Sequence, residues 1–217
     1  MPPTPADLAG PRLERVGVFI DYENAHRTGH GCFARHGTPT HATVFNPVQI
    51  AERIVAHRKR PSALTRVHVY RGRPVPAHQP VPASAFDIQR RVWESDPRCI
   101  VHARDLKYEF PYNDDPNYFL AREKGIDVSL AVDLVAACIR KEYDAVVLFS
   151  NDTDLLPAVE LAYQLPSAHI EIACWSGAHP LWLREPLRQK PPRRIPFCHY
   201  LNDNDFEQTR ERSAEGI

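Results

Sequence analysis

The sequence predicts an α/β fold in which a central, mostly parallel sheet lies between two layers of helices, a three-layer α/β/α sandwich. Short apolar segments rich in β-branched residues alternate with longer segments whose apolar residues recur at helical spacing. The apolar segments are continuous, which is typical of parallel strands covered on both faces. Two of them end directly in aspartates, at the strand ends where such sheets bind ligands.

The strands are predicted from short apolar runs. Residues 16–20 form a run that is too short for a helix and ends at Asp21. Residues 145–149 form a second run of the same kind and lead into Asp152 and Asp154. The other predicted strands are 65–70, 99–103, 170–174 and a short last strand at 195–197.

The helices are predicted from apolar residues at intervals of three and four positions. The clearest periodicity lies at 126–142, which includes Leu130 and Leu134. A helix at 47–60 follows Asn46, a residue type that caps helix N-termini. Further helices are predicted at 84–95, 155–163 and 176–184.

The domain organisation follows from length and from the positions of proline. A chain of 217 residues suits one domain, which we place at 15–200. Residues 1–14 are predicted to be a Pro-rich lead-in and residues 201–217 a C-terminal tail. Residues 25–43 contain Gly, Thr and several histidines, so they are predicted to be a loop or an insertion.

Composition excludes several classes of protein. Hydrophobic residues make up 43% and charged residues 25%, which excludes a wholly disordered chain or a collagen. No apolar run is long enough to span a membrane, and the N-terminus has no secretory signal, so we expect a cytoplasmic protein. The 27 basic and 27 acidic residues exclude an overall polycation but leave nucleic-acid binding open.

Acidic residues carry the predicted chemistry. Asp21 and the pair Asp152 and Asp154 follow strands, and Asp127 begins the long helix, so all four are expected to converge on one cleft. Any one of them could instead serve only as a helix cap. Asn24 and Ser150 are predicted polar supports. Asp133 lies about 240° around the helix from Asp127, so it is predicted to support the site rather than bind metal.

A cluster of carboxylates predicts a divalent metal. Closely packed carboxylates repel one another unless a cation neutralises them. Oxygen ligands without nearby cysteine favour Mg²⁺ or Mn²⁺ over Zn²⁺. Such an ion can activate water and offset charge on a phosphate. The residues therefore indicate phosphodiester hydrolysis or another phosphoryl transfer at Asp21, Asp127 and the pair Asp152 and Asp154, of which one is expected to cap the following helix and the other to bind metal.

Three segments in order resemble the NYN domain, a branch of the PIN-like nucleases. They are Phe-Ile-Asp-Tyr-Glu-Asn, Lys-Gly-Ile-Asp-Val-Ser-Leu-Ala-Val-Asp and Val-Leu-Phe-Ser-Asn-Asp-Thr-Asp-Leu-Leu-Pro. The resemblance covers about residues 14–200. It implies a PIN-like sheet between helices, a divalent metal and endoribonuclease activity, with roles for the four aspartates. The sequence departs from the family pattern at Asn151, where glycine is usual, and at Leu155, where phenylalanine is usual.

Basic residues near the predicted strand ends favour an RNA substrate. The predicted RNA-binding residues are Arg71, Arg73, Arg104, Lys107, Arg122 and Lys124. Nearby aromatic residues, Tyr70, Tyr108, Phe110 and Tyr112, could stack on unpaired bases. The segment 184–194 is rich in arginine and is a candidate arm for the RNA strand.

Two other functions remain open from sequence. One is a binding module of the same fold that recognises RNA or protein without turnover, which the two departures from the family pattern favour. The other is a haloacid-dehalogenase-type phosphohydrolase, which also places an aspartate after the first strand. That family requires Asp-x-Asp there, whereas the third position in this chain is Glu23. A homo-oligomer or a protein partner is compatible with the sequence.

Overall fold

The computed structural model describes residues 12–111, 115, 117–166, 169–183 and 195–211. In chain order the strands are β1 (Glu14–Asp21), β2 (Ser62–Arg73), β3 (Cys99–Asp105), β4 (Lys107–Glu109), β5 (Leu120–Arg122), β6 (Ala145–Phe149), β7 (His169–Trp175) and β8 (Phe197–Leu201). The helices are α1 (Tyr22–Phe33), α2 (Pro47–Ala56), α3 (Pro80–Trp93), α4 (Ile126–Arg140), α5 (Leu156–Gln164) and α6 (Asp203–Thr209).

Six strands form one parallel sheet in the order β3-β2-β1-β6-β7-β8. Helices cover both faces, which confirms the predicted α/β/α sandwich. Strands β4 and β5 form a separate antiparallel hairpin that the sequence did not predict. The strand order changes direction between β1 and β6, because β2 and β3 lie on one side of β1 whereas β6, β7 and β8 lie on the other. Strands β1 and β6, which both lead into predicted acids, are therefore direct neighbours.

Alternation along β1 builds the two hydrophobic cores. Val18 and Ile20 point into the core beneath α1 and α2, whereas Phe19 points into the core beneath α4 and α5. All residues of β6 are fully buried, as the continuous apolar run predicts. Leu130 and Leu134 of α4 lie in the second core, which confirms the helical face deduced from their spacing.

Helix ends follow from local side chains. Asn46 caps α2 by accepting hydrogen bonds from the backbone N–H groups of Val48 and Gln49, at 3.0 and 3.1 Å, as predicted. At α6, Asn202 and Asp205 form a reciprocal capping box. None of the described helices combines the length and the apolar character that a membrane crossing requires.

The structure differs from the sequence prediction in three segments. Residues 25–33, predicted as part of a loop, belong to α1, because His26 and His30 both contact the Thr43 hydroxyl, at 3.2 and 2.9 Å, and fix the helix to the segment that follows. The tail predicted at 201–217 includes α6, which buries Phe206 in the core. Residues 176–183 form turns and extended chain rather than the predicted helix.

A buried ionic network closes the amino-terminal edge of the sheet. Glu171 of β7 accepts hydrogen bonds from Arg58 and His169 at 2.9 Å each, and a further one joins it to His199 of β8 at 2.7 Å. Arg58 also pairs with Glu14 of β1 at 2.9 Å. The network joins the turn after α2 to three strands at the edge opposite the predicted site.

Candidate active site

The candidate site lies at the carboxyl edge of β1 and β6. Asp21 ends β1 and is 7% exposed, and Ser150 follows β6 and is fully buried. The Ser150 hydroxyl donates a hydrogen bond to Asp21 Oδ2 at 2.9 Å. Parallel pairing of the two strands therefore delivers the predicted acid and its predicted support to the same point.

Asn24 joins the same two strand ends from α1. Its Oδ1 accepts a hydrogen bond from the backbone N–H of Asn151 at 2.8 Å. The backbone N–H of Asp152 donates to the Ser150 Oγ at 3.0 Å, which fixes the start of the following turn. Asn151, the departure from the family pattern, donates its side-chain N–H to the carbonyl of His179 at 2.6 Å. The turn that presents Asp152 is thus held on two sides.

A cavity of about 890 Å³ opens at this edge. Three of the predicted acids, Asp21, Asp127 and Asp152, line it together with the predicted support Asn24. Two acids that sequence reasoning missed, Glu23 and Glu123, line it as well. The structure therefore brings together the ends of β1, β6 and the start of α4 around one acidic cavity.

Glu123 enters the cavity from the hairpin. It follows β5 directly, and its Oε1 accepts a short hydrogen bond from the backbone N–H of Gly72 at the end of β2. Burial raises the pKa of the Glu123 carboxyl above its ordinary value. A Cβ at Gly72 would overlap the Leu106 and Glu123 side chains as they stand, so glycine permits this close approach. Glu123 does not follow a long apolar strand in the sequence, so its position in the site was not predicted. It lies beside β2 because the β4–β5 hairpin folds against that strand.

Asp21 is the most strongly perturbed acid of the cavity. Burial raises its pKa to about 7, the charges of Glu123 and Asp152 add to the shift, and the hydrogen bond from Ser150 opposes it. Among the described residues, no basic side chain forms a hydrogen bond or an ion pair with the Asp21 carboxylate. An acid held in this way is stabilised in its charged form by a cation that enters the cavity.

The residues fit a divalent metal in donor chemistry. The cavity offers carboxylate and amide oxygens, the ligands that Mg²⁺ and Mn²⁺ prefer. Among the described residues, no three His, Cys, Asp or Glu side chains lie close enough together to form a preassembled metal site. The acids thus surround a shared space without converging on one point.

Two predicted acids lie outside the cavity wall. Asp154 belongs to the short 3-10 turn after Asp152 and donates its backbone N–H to Asp152 Oδ1 at 3.0 Å. Asp133 faces a neighbouring groove, where its Oδ2 accepts a hydrogen bond from the Tyr70 hydroxyl at 2.8 Å. Leu155, the second departure from the family pattern, is buried in the core beneath α5.

The predicted RNA-binding residues are divided among several environments. Arg71, Arg122 and Lys124 line the cavity, and so does Arg27, which the sequence analysis missed and which pairs with Glu23 at 2.6 Å. Arg73 is paired with Asp87 and Asp105, Arg104 lines the neighbouring groove, and Lys107 is exposed on β4. Tyr112 and the segment 184–194 lie outside the described residues.

The guanidinium of Arg71 is held in place at the cavity wall by aromatic rings and a hydrogen bond. Its guanidinium lies 4.9 Å from the ring centroid of Tyr22 and 5.8 Å from that of Trp93, and it donates a hydrogen bond to Gln89 at 2.7 Å. Rings on the α1 and α3 side therefore fix a positive charge at the wall of an acidic cavity. Such a charge is suited to hold an anionic group beside the carboxylates.

Comparison with known proteins relates this chain to a domain family and to a solved structure. The profile of the NYN domain matches residues 15–165. A crystal structure of a protein of unknown function from Vibrio parahaemolyticus shares the fold, with a TM-score of 0.50 and 14% sequence identity, over 80% of this chain and 88% of the other. Comparison with curated proteins finds no significant match.

Proposed function

Because the chain belongs to the NYN domain family, whose fold is nuclease-like, we propose that it is a metal-dependent endoribonuclease that hydrolyses phosphodiester bonds in RNA. The observation that carries this proposal is that Asp21, Asp127 and Asp152 line one cavity whose wall also includes arginine and lysine. Acids to bind a metal and cations to hold a phosphate backbone then lie in the same space.

We assign Asp21, Asp127 and Asp152 as the residues that would hold Mg²⁺ or Mn²⁺, with Glu123 at the same wall. When bound, the ion supplies an activated water and offsets charge on the phosphate. Asp154 follows Asp152 by two residues and is a further candidate metal ligand. Ser150 and Asn24 position these acids, because they connect the end of β1 to the turn after β6.

The cations orient the substrate in this proposal. Arg71 is held by aromatic rings, so its guanidinium is available as a fixed phosphate partner at the cavity wall. Arg122 and Lys124 flank Glu123 at the cavity wall; among the described residues Lys124 has no ion-pair partner, whereas Arg122 lies 3.7 Å from Glu109. A single strand suits this arrangement, because its phosphates can follow the cavity wall while its bases point away.

A second candidate function is RNA binding without turnover. One observation favours it: within the described part of the chain, the carboxylates do not form a preassembled group of three. The two functions differ in their dependence on metal. A nuclease requires the ion for cleavage, whereas a binding module holds RNA in the presence of a chelator and leaves it intact.

The test is cleavage of a labelled single-stranded RNA by the purified full chain in Mg²⁺, in Mn²⁺ and in EDTA. We expect cutting at internal positions in either metal and none in EDTA. A matched preparation of the Asp21→Asn/Asp152→Asn double variant excludes a contaminating nuclease, because it should lose the activity. Intact RNA in every condition, with the RNA still bound, would favour the binding module instead.

A further inference from the structure

A second polar groove lies beside the candidate active site. It has a volume of about 470 Å³ and shares Ile126 with the wall of the main cavity, so the two spaces are contiguous at the start of α4. Its polar wall is formed by His102 and Arg104 of β3 and by Ser129 and Asp133 of α4. The volume lies within the range of small-ligand pockets.

Arg104 stands at the boundary between the two spaces. Its Nη1 donates to the carbonyl of Gly125, a residue of the main cavity wall, and to the Ser129 hydroxyl, both at 3.2 Å. Among the described residues it has no carboxylate partner within ion-pair distance. A guanidinium that is fixed on one side and exposed on the other is suited to bind a phosphate.

Asp133 supplies an anionic acceptor on the opposite wall. Its Oδ2 accepts the hydrogen bond from the Tyr70 hydroxyl, and its side chain is 47% exposed. Fixing one oxygen through Tyr70 orients the carboxylate toward the groove. A carboxylate is a poor partner for a phosphate but a good acceptor for a sugar hydroxyl.

A chain of hydrogen bonds fixes the ring of His102. The Tyr143 hydroxyl and His68 Nε2 are joined by a hydrogen bond at 2.8 Å, and His68 Nδ1 and His102 Nε2 by a second at 3.0 Å. This contact engages His102 Nε2 and leaves Nδ1 on the side of the carboxylate, 3.9 Å from Asp133 Oδ2. His102 thus presents a ring nitrogen to the groove beside the carboxylate.

The groove also has an apolar rim. Val128 and Val132 are 59% and 61% exposed on α4, and both line it. The groove therefore combines a cation for a phosphate, a carboxylate with an adjacent imidazole nitrogen for a hydroxyl, and an apolar surface for the flat face of a base or sugar. This set of groups matches one ribonucleotide unit better than it matches an inorganic anion, because a carboxylate repels an anion but accepts a hydrogen bond from a sugar hydroxyl.

We propose that this groove is a nucleotide subsite that binds the ribonucleotide next to the one in the main cavity, with its phosphate on Arg104 and its 2′-hydroxyl on Asp133. The proposal rests on the ribonuclease function proposed above and extends it to strand path and sugar selection. The 2′-hydroxyl is the group that distinguishes RNA from DNA, so the groove would contribute to the choice of RNA.

The experiment measures binding of labelled single strands of RNA and DNA with the same sequence by fluorescence anisotropy. All variants are made in the Asp21→Asn chain, so that the RNA stays intact. Asp133→Asn should weaken RNA binding about tenfold, the loss typical of one hydrogen bond to a charged acceptor, and leave DNA binding unchanged. Asparagine at this position still accepts from Tyr70, so the fold should be retained.

Arg104→Gln should weaken RNA and DNA equally and reduce the slope of log affinity against log salt by about 0.7, the value for one phosphate contact on a single strand. The control is Arg140→Gln, which removes an exposed arginine at the C-terminal end of α4, outside the groove, where it pairs with Glu142. This variant should bind both strands as the Asp21→Asn parent does.

The outcomes separate the two proposals. If the wild-type chain cuts RNA with metal but both groove variants behave like Arg140→Gln, the groove assignment is overturned and the ribonuclease function stands. If Asp133→Asn weakens RNA and DNA alike, sugar recognition by Asp133 is overturned. If the chain neither binds nor cuts RNA, the proposed function itself is overturned, and the subsite with it.

Discussion

Salt dependence gives the sharpest test of the proposal that the cavity binds an RNA strand through its cations, and Arg71→Gln is the variant that we would measure first. Two of the basic residues in the cavity are already engaged, because Arg27 pairs with Glu23 at 2.6 Å and Arg122 lies 3.7 Å from Glu109. Within the described chain, Arg71, Lys124 and Arg104 have no ion-pair partner. These are the cations available to phosphates.

The magnitude follows from that count. Three phosphate contacts on a single strand predict a slope of log affinity against log salt of about −2.1, or an affinity loss of about 18-fold between about 50 and 200 mM salt. Removing Arg71 should change the slope to about −1.4 and the loss to about sevenfold. Arg71→Lys keeps the charge, so the slope should remain, but affinity should fall because the planar contact with the Tyr22 ring is lost.

The assay is anisotropy of a labelled RNA in the Asp21→Asn chain across a salt series. Arg91→Gln is the matched control, since Arg91 is exposed on α3 and does not line the cavity. Thermal unfolding of each variant establishes that the fold is retained. A slope for Arg71→Gln equal to that of the control would refute the reasoning, because it would mean that the cavity cation does not contact a phosphate.

The remaining predictions concern the fold that supports the site. Burial would raise the pKa of Glu171, but hydrogen bonds from His169, His199 and Arg58 outweigh it and hold that pKa well below its ordinary value of 4.5. The charged carboxylate therefore stabilises the fold above about pH 4.5, and this contribution is lost as the pH falls further. Glu171→Gln should cost about 3–5 kcal/mol at neutral pH, and its stability should depend less on acid than that of the wild type or of the exposed control Glu207→Gln, measured by urea unfolding across pH. Gly29→Ala should destabilise the chain by about 1–3 kcal/mol, because the new Cβ would lie 2.7 Å from Trp175 Nε1 between α1 and β7. Gly31→Ala in the same helix meets no atom within 4 Å and should stabilise it by about 0.5–1 kcal/mol, so equal effects of the two alanines on the urea midpoint would contradict this packing.

The sheet and most of the acidic site could be predicted because their signals are local. A buried parallel strand has a continuous apolar run, so β6 was predicted with its observed bounds, and the acids that follow β1 and β6 were predicted from strand ends alone. Parallel pairing then brings Asp21 beside Ser150. These features depend on residues that are near one another in sequence.

The rest depends on tertiary contacts. Strands β4 and β5 have three residues each and no buried pattern, so they gave no periodic signal. Glu123 reaches the cavity only because their hairpin returns it to Gly72. Helix α1 contains Gly29 and Gly31, which disfavour a helix, and it is held instead by side-chain contacts to Thr43.

The most direct test of the account is the rate of RNA cleavage in Mn²⁺ by single-asparagine variants of the cavity. Asp21→Asn, Asp127→Asn and Asp152→Asn each remove one acid from its wall, and Asp203→Asn removes an exposed acid from α6 as the control. We predict a loss of about 100-fold or more for each cavity variant and an unchanged rate for the control. Wild-type rates in all three cavity variants would contradict the claim that this cavity is the site of cleavage.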